Sequence, residues 1–134
     1  MTIEKAMSSK VITINASDSL LNATRAMKEN KVKHLPVVDK SGSLVGIVTD
    51  RDLKRASASD ATTLEVHELL YLLDRVTIES IMRKNVVTVD TGTPLKQAAS
   101  LMVEKGIGCL PVKDGGKLVG IITRTDILRH FAGE

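Results

Sequence analysis

The feature that most constrains this chain is that it is written twice. Gly46-Ile47-Val48-Thr49-Asp50-Arg51-Asp52 returns as Gly120-Ile121-Ile122-Thr123-Arg124-Thr125-Asp126. At a shift of about 75 positions, roughly 20 of about 55 aligned residues are identical, far above chance for one fixed period. Thr2-Ile3-Glu4 falls on Thr77-Ile78-Glu79, Met7 on Met82, Leu20 on Leu95, Ala23 on Ala98, Met27 on Met102, and Leu35-Pro36-Val37 on Leu110-Pro111-Val112. A one-residue deletion in the turn at Asp39 then sets Leu44-Val45-Gly46-Ile47 on Leu118-Val119-Gly120-Ile121. The expected organisation is a first repeat over 1–56, a linker and connecting helix over 57–75, and a second repeat over 76–134.

A lone half of this length is marginal, whereas 134 residues with 43% hydrophobic content can bury one respectable core. The halves are therefore expected to pack on each other with pseudo-twofold symmetry. Tyr71 and Phe131 stand in a chain without tryptophan, so the core must be aliphatic. A bound nucleobase would be held by backbone and aliphatic side chains rather than by ring stacking.

Each half reads as β-α-β-β-α, an α+β fold. Val11-Ile12-Thr13-Ile14 and Val86-Val87-Thr88-Val89 are short strands by β-branched propensity. Asp18 caps a helix with Leu20, Ala23 and Met27 on one face, and Thr93-Pro94 opens its counterpart, which Gly106 stops. Thr2 and Thr77 are placed to cap short turns through Met7 and Met82. The segments at Leu35-Pro36-Val37 and Leu110-Pro111-Val112 are strands. Turns at Asp39-Lys40-Ser41-Gly42 and Asp114-Gly115-Gly116-Lys117 fold them into hairpins, and closing helices begin near Asp50 and Arg124. Residues 57–61 are linker-like in composition, Thr62 and Glu65 have capping-box spacing, and Leu69-Leu70-Tyr71-Leu72-Leu73 is too apolar for one narrow helix face. That helix covers the core or forms a subunit contact.

Several function classes lose support. Cys109 is the single cysteine, which rules out an intrachain disulfide and suits a reducing, cytoplasmic compartment. The N-terminal residues have no apolar signal core, and no apolar run approaches the ~20 residues that span a bilayer. A net charge of +3 on scattered Lys and Arg gives little electrostatic motive for nucleic-acid binding. No nucleophile–base–orienter set, metal-ligand spacing or Walker-type loop is present, so no catalytic or metal-binding residue is assigned.

A small residue, a β-branched run and Thr-x-x-Asp at a helix start let a backbone approach a ligand and offer it a hydroxyl and a carboxylate. A carboxylate accepts two donors from a vicinal diol, and a helix N-terminus favours phosphate. Leu-Pro-Val-Val-Asp followed by Leu-Val-Gly-Ile-Val-Thr-x-x-Asp, in both halves, resembles the cystathionine-β-synthase-type (CBS) domain, and the tandem resembles a CBS pair, or Bateman module. The stretch at Glu68-Leu69-Leu70-Tyr71 is also similar to that of acetoin-utilisation-type CBS proteins.

The resemblance implies a non-catalytic sensor, with adenosine-containing ligands (AMP, ADP, ATP, S-adenosylmethionine or NAD-like) bound in two clefts between the repeats. It implies that the Asp holds ribose, the Thr faces phosphate, and the segment before Leu-Pro of the other repeat supplies the opposite wall. One site would then pair Thr49 and Asp52 with Ile107, Gly108 and Cys109, and the other Thr123 and Asp126 with Val32, Lys33 and His34. Asp18 and Thr93 are rim candidates. The second of these sites carries Lys33 and His34 and is expected to favour phosphate. A flat homodimer is expected. The alternative reading is an assembly or partner-docking module with vestigial clefts.

Overall fold

The computed structural model of the protein describes residues 1–60 and 65–133, the side chains of 58–60 excepted. A short 3-10 turn, Ile3–Lys5, precedes β1 (Ile14–Asn15), α1 (Leu20–Asn30), β2 (His34–Val38), β3 (Leu44–Thr49), α2 (Asp50–Asp60), α3 (Val66–Arg75) and α4 (Ile78–Ile81). The second half continues with β4 (Val89–Asp90), α5 (Leu95–Lys105), β5 (Cys109–Asp114), β6 (Lys117–Thr123) and α6 (Arg124–Ala132). The sheets are β1-β2-β3 and β4-β5-β6, each with a parallel first pair and an antiparallel second pair. Each half is thus β-α-β-β-α, an α+β architecture.

Periodicity decides the faces. Leu20, Ala23 and Met27 on α1, and Leu95, Ala98 and Met102 on α5, are the buried residues of their helices. On the strands Leu35, Val37, Val48, Leu110, Val112 and Ile122 are fully buried, and so are Pro36 and Pro111 on the opposite face of β2 and β5. In the first hairpin, Asp39 Oδ1 accepts from the Ser41 and Ser43 amides at 2.9 and 3.0 Å. In the second, Gly115 and Gly116 both have positive φ, as a type I′ turn demands. Helices α1 and α5 end on matched left-handed residues, Lys31 at φ 54° and Gly106 at φ 65°.

The chain divides into two compact units whose limits do not follow the repeats: Ile12–Val86, and Met1–Val11 with Val87–Glu134. In the first unit Ile78, from the opening of the second repeat, is fully buried with Leu20, Leu35, Val37 and Val48. In the other unit Ile3, from the opening of the first repeat, is buried with Leu95, Leu110, Val112 and Ile122. Each opening segment is also tied to a strand. Arg83 and Ile47 exchange amide–carbonyl bonds of 2.9 and 3.0 Å, and Ser8 and Ile121 do the same at 2.9 and 3.0 Å.

Local details differ from the sequence reading. Of each expected first strand only the last residue pairs, Ile14 with Val37 and Val89 with Val112, and the pairing runs on into Asn15 and Asp90. Ser19, not Asp18, caps α1: its Oγ accepts from the Asn22 amide at 3.1 Å, while Asp18 Oδ1 takes the Ser19 amide and Asn22 Nδ2. Pro94 holds the cap position of α5 with no side-chain acceptor, and Thr93 Oγ1 turns to Asp90 at 3.4 Å. Thr2 and Thr77 occupy cap positions without a side-chain capping bond.

Helix α2 continues through the linker-like residues to Asp60, and Ala61 and Thr62 lie outside the described residues. Glu65, at the N-cap of α3, makes no side-chain capping bond. On α3, Leu73 packs against the core of its unit, and Val66, Leu70, Tyr71 and Leu72 are exposed.

Candidate functional site

In both units the edge of a hairpin runs straight into a helix, and Thr-x-x-Asp stands at the junction. Asp52 Oδ2 accepts from the Thr49 amide at 3.1 Å, and Thr49 Oγ1 accepts from the Asp52 amide at 3.2 Å. At the matched turn Asp126 Oδ2 accepts from the Thr123 amide at 2.8 Å and from the Thr123 hydroxyl at 3.0 Å. Thr123 Oγ1 in turn accepts from the Asp126 amide at 3.3 Å. Both turns are reciprocal capping boxes. The box fixes a carboxylate at a helix N-terminus, where amides and the helix dipole favour negative groups.

The segments before Leu-Pro lie beside the turn of their own repeat. His34 pairs in register with Thr49, and the Asp50 amide donates to the Lys33 carbonyl at 2.9 Å. Cys109 pairs with Thr123, and the Arg124 amide donates to the Gly108 carbonyl at 3.1 Å. Lys33 is exposed, while Val32, His34, Ile107 and Gly108 are half-buried. Cys109 is buried, and burial pushes its thiol up to about 12, so it stays protonated at neutral pH. Asp18 and Thr93 are each engaged in the local turns described above.

Gly46 and Gly120 have a packing reason that their spacing alone did not show. A Cβ on Gly46 would collide with Met82 Sδ and stand 3.0 Å from the Arg83 carbonyl. A Cβ on Gly120 would stand 2.5 Å from Met7 Sδ and 3.0 Å from the Ser8 carbonyl. The glycines admit the opening segments of the repeats.

The residue that sequence reasoning passed over is Arg83. Its Nη2 donates to Asp52 Oδ1 at 3.1 Å and its Nε to Asp52 Oδ2 at 3.3 Å. Burial of Asp52 works to raise its pKa, but the bonds from Arg83 and Thr49 outweigh it and hold the carboxyl below its ordinary value. The signal was in the repeat itself: Arg83 falls on Ser8, a mismatch beside the matched Met7 and Met82.

Within the first unit a cavity of about 520 Å³ has Met27, Val32, Leu53 and Leu69 as apolar walls, with Lys28, Lys33, Lys54 and Asp50 also lining it. Lys54 pairs with Asp50 at 3.6 Å. The cavity lining includes neither Thr49 nor Asp52. Among the described residues no cluster of His, Cys, Asp and Glu is placed to hold a metal ion, and no helix is long and apolar enough to cross a membrane.

The CBS domain model matches residues 3–59 and 78–133. A CBS domain-containing protein of Dictyostelium discoideum is 39% identical over 127 residues, covering 94% of this chain and 88% of that one. An L-aspartate semialdehyde sulfurtransferase of Methanocaldococcus jannaschii is 32% identical over 133 residues, and the chain spans 98% of itself but 23% of that protein. Among solved structures, the CBS domain pair of protein MJ0100 in complex with 5′-methylthioadenosine and S-adenosyl-L-methionine has TM-score 0.84 and 32% identity, covering 99% of this chain and 97% of that one. CBSX2 in complex with AMP has TM-score 0.80 and 30% identity, covering 98% and 96%. A putative acetoin utilization protein from Vibrio cholerae has TM-score 0.82 and 30% identity, covering 99% and 91%.

Proposed function

Because this chain belongs to the CBS domain family, with two repeats in one polypeptide, we propose that it is a non-catalytic regulatory module that binds adenosine-containing ligands. The observation that carries the reading is the Thr123–Asp126 turn. One oxygen of the Asp126 carboxylate is held by Thr123, and the other has no hydrogen-bond partner among the described residues. A half-buried carboxylate so oriented suits the two hydroxyls of a ribose. The neighbours solved with AMP and with S-adenosyl-L-methionine support that ligand class. Lys33, exposed just before β2, is the cation we assign to a ligand phosphate. A single buried thiol suits the cytoplasm.

Calorimetric titration with adenosine, AMP, ADP, ATP and S-adenosylmethionine tests the reading. Saturable binding that is lost in Asp126→Ala supports it. Lys33→Ala is expected to weaken AMP by about tenfold or more and adenosine little. Absence of binding to the whole series would leave the assembly reading. That second reading has its own support in the exposed Val103, Leu128 and Phe131 of the second repeat and in Val66 and Tyr71 of α3. Homodimerisation is proposed on the same surfaces, and light scattering across micromolar concentrations tests it: a monomer throughout would exclude it.

A further inference from the structure

The two matched turns offer the same carboxylate to different neighbours. Asp52 is engaged on both oxygens, Oδ1 by Arg83 Nη2 and Oδ2 by Arg83 Nε and the Thr49 amide. The Asp52 side chain is 8% exposed and that of Arg83 59%, so the guanidinium closes over the carboxylate from the solvent side. Asp126 is half-buried, and among the described residues Thr123 alone bonds it, on Oδ2. The difference comes from one matched position. Arg83 is held across Ile47 by paired backbone bonds, and Ser8 is held across Ile121 in the same way. From that station an arginine spans the distance to the aspartate, and a serine is too short to do so.

A vicinal diol docks by donating its two hydrogen bonds to free acceptor sites of a carboxylate, which has about two on each oxygen. At Asp126 it would find Oδ1 open. At Asp52 it would have to displace a charge-assisted fork, and hydroxyl bonds to a carboxylate are weaker than the bidentate guanidinium bonds they would replace. We propose that Arg83 is a latch on Asp52, so that the module takes one uncharged adenosine-type ligand per chain, at the Asp126 turn, and holds the Asp52 turn closed. This rests on the ribose reading given above. Arg83 is then a specificity-determining residue, and the matched repeats are unequal by design of a single side chain.

Adenosine is the probe, because it has no phosphate to compete for Arg83. Calorimetry on the full chain is expected to give one site in the wild type, lost in Asp126→Asn. Arg83→Ser installs the residue that the first repeat uses at the matched position, and Arg83→Gln is the second variant should the first fail to fold. Either is expected to gain a second site, about tenfold or more tighter than any second event in the wild type, and to lose it when Asp52→Asn is added. Ser8→Arg is expected to weaken the Asp126 site by a similar factor. A wild-type second site that depends on Asp52, Arg83 variants that keep one site, or a Ser8→Arg variant that binds normally would overturn the latch while leaving the ribose reading intact. Adenosine binding to neither the wild type nor the Arg83 variants would overturn both.

Discussion

Met82 stands where a side chain on Gly46 would have to go. The thioether is flexible, but the Arg83 carbonyl behind it belongs to a bridge with Ile47 and cannot retreat freely. Gly46→Ala is therefore expected to cost about 1–3 kcal/mol through overpacking, with Gly120→Ala similar against Met7 and Ser8. Urea melts check this. Melts unchanged in both variants would show that the opening segments are loosely held.

Met27 and Met102 are buried on the core faces of α1 and α5. Truncation of either to alanine should cost about 2–5 kcal/mol, the transfer and cavity loss together. Matched losses at the two positions, measured by chemical denaturation, would show that the repeats bear load equally.

Lys31 caps α1 in a left-handed conformation that its counterpart Gly106 adopts without a Cβ penalty. Lys31→Gly should relieve more native strain than it adds in unfolded-state entropy, a net gain of about 0.5–1 kcal/mol. Gly106→Ala should go the other way. Thermal melts of the pair decide the sign.

The Asp52 carboxyl is held below its ordinary value of 3.8 in the folded protein, so its contribution to stability is present above that value. It is lost as the pH falls through the lower folded value. Arg83 is largely exposed, which screens the pair, so Arg83→Gln should cost only about 1 kcal/mol at pH 6. As the pH falls through the lowered folded value the wild type and the variant should converge. A gap that persists in acid would mean that Arg83 acts through packing rather than through charge.

Cys109 is sealed and its thiol held protonated by burial. A disulfide-exchange reagent at pH 8 should leave it unmodified in the native protein and label it fully in denaturant. Rapid native labelling would place Cys109 at an opening.

What the sequence revealed, and what it hid, follows from the duplication. The helix faces of Leu20 and Met27, the hairpins at Asp39 and Gly115 and the paired Thr-x-x-Asp turns depend on local spacing, and they were legible. Caps slipped by a residue because Asp18 and Ser19 are both good acceptors and only the chain path chooses between them. Which opening segment serves which sheet was not legible. Ile3 and Ile78, and Met7 and Met82, are matched so closely that either could serve either sheet. Arg83 was legible as a mismatch with Ser8, but its distance from Asp52 along the chain hid the partner.

The exchanged openings also set an order of events at the ribosome. Every residue of the Ile12–Val86 unit is available once Val86 has left the exit tunnel, whereas the first eleven residues belong to a unit whose remainder begins at Val87. At usual synthesis rates the N-terminal segment waits on the order of 6–20 s for the last strand of its sheet. Ile3, fully buried at the end, spends that interval exposed. Met1–Val11 is made before the Ile12–Val86 unit and completes its own unit after it.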